Sequence, residues 1–274
     1  LVFTVECLVS PASGCPWIAQ KTAADYLQYV CSESEEALEE LRALAAAGTG
    51  VGVSDALHRQ ALRRALVAEL GDVLYTSLVA VAKAAQCHGF LPCSAYRSAV
   101  DKIHFRTPYM RQWGDGSAAA TGEQAKAFWM ARKTQEKGGA RPPRASWPPG
   151  AGCDRGALVS TVTCLTARRG CPWTAQQTPE RLLGYLKDEC AEAAEELAAL
   201  AEAPGTDLSE EAAREREQRL RHALVSEMGD VLFDIYMAIF LAGRQHGFGL
   251  ADVCASATGK IRGRTPYMPQ WGDG

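Results

Sequence analysis

Four acidic residues occur in two pairs in the first part of the chain. Glu69 and Asp72 are three residues apart within a nearly all-apolar stretch, residues 64–82. Residues at this spacing share one face of a helix, and a carboxylate buried among apolar side chains needs a partner or takes up a proton. Glu33 and Glu36 form a second pair with the same spacing. If the two helices lie side by side, the four carboxylates converge and require a cation.

The same acids return in the second part of the chain as Glu189, Glu192, Glu227 and Asp230. Ligation by oxygen alone is typical of hard cations, so we expect Mg²⁺ first and Mn²⁺ second. Neither His nor Cys recurs beside the acids, which argues against zinc and against a di-iron site. Four carboxylates are more ligands than one Mg²⁺ usually takes from protein, so about one to three ions shared with substrate phosphates are expected. Buried salt bridges to Arg63 or Arg64 are the alternative for the Glu-x-x-Asp pair.

Two basic residues near the end of each part could contact such phosphates. Lys102 and Arg106 are four residues apart, as are Lys260 and Arg264, so each pair shares a helix face. Metal ions beside Lys and Arg are the usual arrangement for phosphoryl chemistry. A single pair with this spacing is more often a solvated face, so the hypothesis depends on its combination with the acids.

Further motifs show that the chain contains two copies of one unit. Gly-Cys-Pro-Trp at residues 14–17 returns at residues 170–173, and Arg-Thr-Pro-Tyr-Met at residues 106–110 returns at residues 264–268. The period is too long for a solenoid repeat, so we interpret it as a tandem duplication of a small domain. The tryptophans of the first motif are candidate substrate-binding residues, with a role in the core as the alternative: Trp17 and Trp173.

We predict two domains, residues 1–116 and 157–274, joined by a Pro- and Gly-rich linker at residues 117–156. The prolines within residues 141–150 cannot continue a helix and indicate an extended segment. Residues 123–137 could form a short helix before it. We assign the excess of Lys and Arg in the linker to solubility rather than to a partner site.

The hydrophobic pattern predicts helices and gives no strong strand signal. Two long helices are expected in each copy, each pair followed by a shorter one: residues 22–47, 54–87 and 92–105, then 179–203, 209–245 and 250–262. The short apolar stretch that opens each copy is left open between helix and strand. We expect an all-α intramolecular pseudo-dimer with four-helix-bundle cores, because a two-fold interface buries the same patch twice.

Composition excludes some classes of partner. The net charge of −3 argues against a nucleic-acid footprint over the whole molecule. No apolar run is expected to reach transmembrane length, since Asp234 interrupts residues 231–243, and no signal peptide is recognised. The ten cysteines include no Cys-x-x-Cys pair, so we expect free thiols in an intracellular, reducing compartment. We predict neither a nucleic-acid nor a membrane partner.

The order of these motifs resembles that of the MazG-like nucleoside triphosphate pyrophosphohydrolases. Gly-Cys-Pro-Trp, Glu-x-x-Glu, Glu-x-x-Asp and Lys-x-x-x-Arg before a proline occur in both copies, so the resemblance covers nearly the whole chain except the linker. It implies an all-α fold and Mg²⁺-dependent hydrolysis of nucleoside triphosphates between the α- and β-phosphates. The products would be a monophosphate and pyrophosphate, and the implied role is cleaning of the nucleotide pool.

Site roles follow from the same resemblance. It implies that all eight acids hold Mg²⁺ and that both Lys/Arg pairs contact the triphosphate. Glu36 and Glu192 are the implied bases that take a proton from the attacking water. The acid that often precedes the first Glu of the family motif is present as Asp188 but replaced by Ser32, which makes the first copy the one expected to be weakened.

Several alternatives stay open at this point. A narrower all-α pyrophosphatase, of the dUTPase or dCTPase kind or acting on phosphoribosyl-ATP, would show the same acids. A non-catalytic helical scaffold could keep them only to bind Mg²⁺. One copy could be catalytic and the other structural, and the pseudo-dimer could pair again into a homo-oligomer.

Overall fold

The computed structural model describes residues 1–47, 52–137, 154–202 and 209–272. These residues form ten α-helices, one 3-10 turn and no strand, so the predicted all-α fold is confirmed. The helices are α1 (Val2–Leu8), α2 (Pro16–Ala19), α3 (Ala23–Ala46), α4 (Val53–His88), α5 (Pro92–Arg106), α6 (Gly122–Lys137), α7 (Asp154–Thr166), α8 (Pro179–Ala201), α9 (Glu210–His246) and α10 (Leu250–Arg264). The stretch predicted to be extended, residues 141–150, lies outside the described residues.

Local signals in the sequence set the helix ends. Thr22 caps α3: its hydroxyl accepts from the Asp25 N–H at 3.1 Å, and its own N–H donates to the Asp25 carboxylate at 2.7 Å. Gly89 and Gly247 end the two long helices with φ of 66° and 74°, a left-handed conformation that favours glycine. The opening stretches left undecided between helix and strand are helical, as α1 and α7.

Four long helices form the central bundle. α3 packs against α4 and α8 packs against α9, while α3 lies beside α8 and α4 lies beside α9. The core side chains facing inward from α4 and α9 are fully buried: Leu66, Leu70, Leu74, Leu224, Met228 and Leu232. Each such side chain contributes about 1.5–3 kcal/mol to folding. The two helical hairpins therefore form one bundle, as expected of an intramolecular pseudo-dimer.

The last helix of each half packs mainly on the other half. α5 lies on α9, and α10 lies on α4. A Cβ atom at Gly229 would come within 2.6 Å of the Ala95 carbonyl oxygen, and one at Gly71 within 3.2 Å of the Ala257 Cβ. The glycine in each Glu-x-Gly-Asp motif therefore lets the crossing helix approach the long helix closely, a role that the sequence analysis did not assign.

The expectation that no helix reaches transmembrane length was wrong. α4 is long and apolar enough to span a membrane by length and composition. Within the most apolar stretch of α4, 67% is buried in the interior of the protein. A helix at the centre of a bundle needs apolar side chains on most of its faces, which explains this composition without a membrane.

Candidate active sites between the two halves

Two adjacent helices bring three carboxylates together in the first half. Oxygen atoms of Glu33 and Glu36 on α3 and of Glu69 on α4 lie within 4.8 Å of one another. Burial, and the carboxylates of Asp72, Glu36 and Glu69, raise the pKa of Glu33 to about 7. Burial also raises the pKa of Glu69. Three crowded oxygen donors whose ionised forms repel one another fit a hard divalent cation, which would relieve that repulsion.

The second half repeats the cluster with a different third member. Here the carboxylate oxygens within 4.8 Å of one another belong to Glu189, Glu227 and Asp230. Burial and the neighbouring carboxylates raise the pKa of Glu189 to about 8. Each cluster thus contains three of the four predicted acids. The fourth lies outside it: Asp72 in the first half and Glu192 in the second.

Each acidic set is paired with a lysine from the opposite half. The Lys260 ammonium on α10 donates to the Asp72 carboxylate on α4. In the reciprocal arrangement Lys102 on α5 donates to Asp230, and also to the Ser226 hydroxyl at 2.9 Å. We therefore call the first site the one that combines the acids of the first half with Lys260 and Arg264. The second site combines the acids of the second half with Lys102 and Arg106.

The first site opens into a cavity of about 450 Å³. Trp17 is 53% exposed at this cavity and stacks on Tyr29 with ring centroids 6.3 Å apart and planes 19° apart. The hydroxyl of Tyr267, from the other half, lies 3.0 Å from the Cys15 thiol. The lining consists of Cys15, Trp17, Ile18, Tyr26, Tyr29, Glu33, Asp72, Tyr75, Thr76, Lys260, Ile261, Arg264, Thr265 and Tyr267. An apolar, aromatic wall with charged groups at one side suits a ligand that has a flat ring and a charged tail.

The aromatic side of the second site is covered by α6. Arg106 donates from Nε to the Glu136 carboxylate on α6 at 2.9 Å, and Trp173 is stacked by Trp129 with centroids 6.0 Å apart and planes 14° apart. Beside the stacked Trp129 and Trp173 rings the remaining space, bordered also by Tyr109, Cys171 and Phe233, is about 10 Å³. Arg106 and Trp173, both predicted to contact substrate, contact α6 in this structure.

Sequence reasoning missed the aromatic wall of the first site and the occupant of the second. Tyr29, Tyr75 and Tyr267 lie on three different helices or turns, so no spacing in the sequence relates them. In α6, Trp129 and Glu136 are seven residues apart and share a helix face. That spacing was a usable signal, although it does not say which surface the face covers.

One family model matches the chain twice. The MazG nucleotide pyrophosphohydrolase domain matches residues 21–111 and again residues 177–268. Each match spans all four acids and the Lys/Arg pair of one copy, while Trp17 and Trp173 precede the matched segments. Comparison with curated proteins and with solved structures found no match.

Proposed function

The chain belongs to the MazG nucleotide pyrophosphohydrolase family, and we propose that it hydrolyses nucleoside triphosphates to a monophosphate and pyrophosphate with Mg²⁺, or Mn²⁺ in its place. The observation that carries this proposal is the lining of the first cavity. Glu33 and Asp72 of one half, Lys260 and Arg264 of the other half, and the Trp17 ring all face one space of about 450 Å³. Such a space has room for a base, a sugar and a charged triphosphate.

The acidic cluster is the proposed cation site. Glu33, Glu36 and Glu69 would hold the ion, with Asp72 beside them. A bound divalent cation supplies charge neutralisation at the phosphate oxygens and makes a nearby water more acidic. The raised pKa of Glu33 supports this assignment, because a carboxylate in that environment is stabilised in its ionised form by a cation.

The remaining groups of the first site are assigned by their position. Arg264 is exposed, makes no ion pair with another described residue, and shares a face of α10 with Lys260, so the two can bind phosphates together. Trp17 is 53% exposed and would stack a base in place of the Lys21 ammonium, which lies 5.7 Å from its ring centroid; such stacking is worth about 0.5–1.5 kcal/mol. Glu36 is exposed within the cluster and would take the proton from the attacking water.

Pyrophosphate release from a panel of nucleoside triphosphates tests the proposal. The panel covers ribo- and deoxyribonucleotides of every base, together with dUTP, dCTP and phosphoribosyl-ATP, each with Mg²⁺, with Mn²⁺ and with chelator. We expect metal-dependent release of pyrophosphate, not of phosphate, from at least one compound. Activity confined to one compound would identify the narrower pyrophosphatase. No release from any compound with either metal would overturn the enzymatic proposal in favour of a helical scaffold.

We further propose that the protein works in an intracellular, reducing compartment, with neither a nucleic-acid nor a membrane partner. The cysteines in the described part of the chain are free thiols, and the net charge is −3. The predicted domains, residues 1–116 and 157–274, are proposed as the two units of the pseudo-dimer, with residues 117–156 between them.

A further inference from the structure

α6 contacts the second site with the kinds of groups that a nucleotide carries. The Trp129 ring lies parallel to the Trp173 ring, as a stacked base would. Two turns along the same face, the Glu136 carboxylate accepts from the Arg106 guanidinium, as a phosphate would. Arg106 also lies over the Trp129 ring, 5.0 Å from its centroid. An aromatic ring and an anion from one helix thus satisfy both predicted substrate contacts.

The matching residues of the two sites differ sharply in exposure. Arg106 is 8% exposed, whereas its counterpart Arg264 is an exposed residue. Trp17 is 53% exposed, whereas Trp173 is partly buried beneath Trp129. The cavity of about 450 Å³ beside Trp17 contrasts with a space of about 10 Å³ beside Trp173. The Trp and the Arg are the same residue types in both sites, and of these two pairs Trp129 and Glu136 of α6 contact only Trp173 and Arg106.

One face of α6 packs closely against the protein. Ala125 is 1% exposed, and Phe128 packs on Tyr109 with ring centroids 5.7 Å apart. At the start of the helix Gly122 lies against the end of the Gln176 side chain, which would have to move if Gly122 carried a Cβ atom. The opposite face is solvated, and its Met130 is 53% exposed.

We propose that α6 is a built-in occupant of the second nucleotide site and keeps nucleotides out of it, so that the wild-type chain has one open site. The identity of the excluded ligand rests on the proposed function. α6 follows α5 in the same chain, so its binding is intramolecular and takes place at a high effective concentration. A competing nucleotide must also separate the Arg106–Glu136 ion pair, whose side chains are only 10% and 13% exposed. Leaving either charge buried and unpaired is unfavourable.

The number of nucleotides bound per chain tests the proposal. The probes are α,β-methylene analogues of the ribo- and deoxyribonucleoside triphosphates with Mg²⁺, measured by isothermal titration calorimetry. We expect one site in the wild type and two in the variant Trp129→Ala/Glu136→Gln. Met130→Ala, on the exposed face of α6, is the matched control and should bind one. Circular dichroism melting checks that each variant is folded, and Glu136→Gln alone serves if the double variant is not.

A second measurement does not depend on nucleotide binding. Arg106 donates its Nε–H to Glu136 in a buried setting, so in ¹⁵N NMR this proton should exchange with water at least tenfold more slowly than that of the exposed Arg264. Arg106→Lys and Arg264→Lys assign the two signals. In Glu136→Gln the slow exchange of the Arg106 proton should be lost.

Each possible outcome bears on the role of α6 or on the proposed function. Two equal sites in the wild type, or one site in a folded Trp129→Ala/Glu136→Gln variant, would overturn the occupant role of α6. Equally fast Nε–H exchange at Arg106 and Arg264 would overturn it as well. If no protein binds any analogue but the Arg106 proton is protected, the proposed function fails while α6 still covers this surface.

Discussion

Lys260 donates a hydrogen bond to Asp72 although the two residues are 188 positions apart and belong to opposite halves of the chain. Lys102 and Asp230 repeat the relationship in the other direction. Since α5 and α10 cross to the opposite hairpin, each half supplies acids to one site and basic side chains to the other. Neither half therefore contains a complete site, and the duplicated chain can form both without a second molecule.

Lys260→Met should lower pyrophosphate release about 100-fold or more, because it removes a positive charge that faces the proposed phosphates of the open site. Lys102→Met is the matched control on the crossing helix of the other half. It should change kcat/KM less than about twofold, since its site is occupied by α6. Steady-state kinetics of both variants measure the difference. Equal losses in the two variants would contradict the assignment of activity to the first site.

Glu69→Gln and Glu227→Gln compare the two acidic clusters directly. We expect Glu69→Gln to abolish activity, because the amide loses the charge that the cluster offers to a cation. Glu227→Gln should keep most of the activity. The measurement is pyrophosphate release at saturating Mg²⁺, with binding of Mn²⁺ followed by electron paramagnetic resonance in each variant.

The opposite result, loss of activity only in Glu227→Gln, would support the expectation drawn from Ser32 that the first copy is the weaker. Ser32 is exposed, and its hydroxyl donates to the Tyr29 carbonyl at 3.0 Å. Because this side chain bonds back to its own helix, we expect Ser32→Asp to leave activity in the same range.

Metal affinity should depend on pH through Glu33. In the metal-free protein the pKa of Glu33 is raised to about 7, mainly by burial, so below this pH a proton competes with the cation. The affinity for Mg²⁺ should therefore fall as the pH is lowered from about 8 to 6, by at most about tenfold per pH unit for one proton displaced. Calorimetric titrations at several pH values measure this slope, and Glu33→Gln should make it shallower.

The same pKa shift has a definite sign for folding stability without metal. The folded state holds its Glu33 proton up to about pH 7, whereas the unfolded chain releases it near the ordinary pKa of about 4.3. Stability contributed by Glu33 is therefore lost as the pH rises through this window. Thermal unfolding in chelator should show a decline that Glu33→Gln reduces and that Mg²⁺ opposes.

Gly229→Ala should destabilise the fold by about 1–3 kcal/mol, because the new methyl group would overlap the Ala95 carbonyl oxygen on α5. Gly71→Ala should cost less, since the nearest atoms of α10 are 3.1 Å or more from the added Cβ. Urea unfolding followed by circular dichroism measures both.

Gly184→Ala is the control for the glycine series. Gly184 lies within α8, and a Cβ atom there would meet nothing within 4 Å. The same substitution should therefore stabilise the protein by about 0.5–1 kcal/mol through the lower flexibility of alanine in the unfolded chain. A loss of stability at Gly184 like that at Gly229 would show that close helix contact is not the cause.

The sequence by itself determined the helices, the duplication and the members of each acidic pair. Hydrophobic periodicity and capping residues such as Thr22 act over one or two helical turns, so they can be interpreted without knowing the fold. The spacing of Glu33 and Glu36, or of Glu69 and Asp72, fixes a shared face within one helix for the same reason. The apolar length of α4 was underestimated, because residues 231–243 were taken as the longest apolar run.

Only the tertiary structure decided which groups meet across helices. Lys102 stands in the same local sequence as Lys260, so no local signal could say that Lys102 joins Asp230 and Lys260 joins Asp72. That choice depends on how α5 and α10 cross the bundle, which the close contacts at Gly71 and Gly229 permit. The covering of the second site by α6 is likewise a matter of packing between distant segments. An amphipathic helix in a linker predicts that one of its faces will be buried. The surface against which that face packs is defined by the rest of the fold.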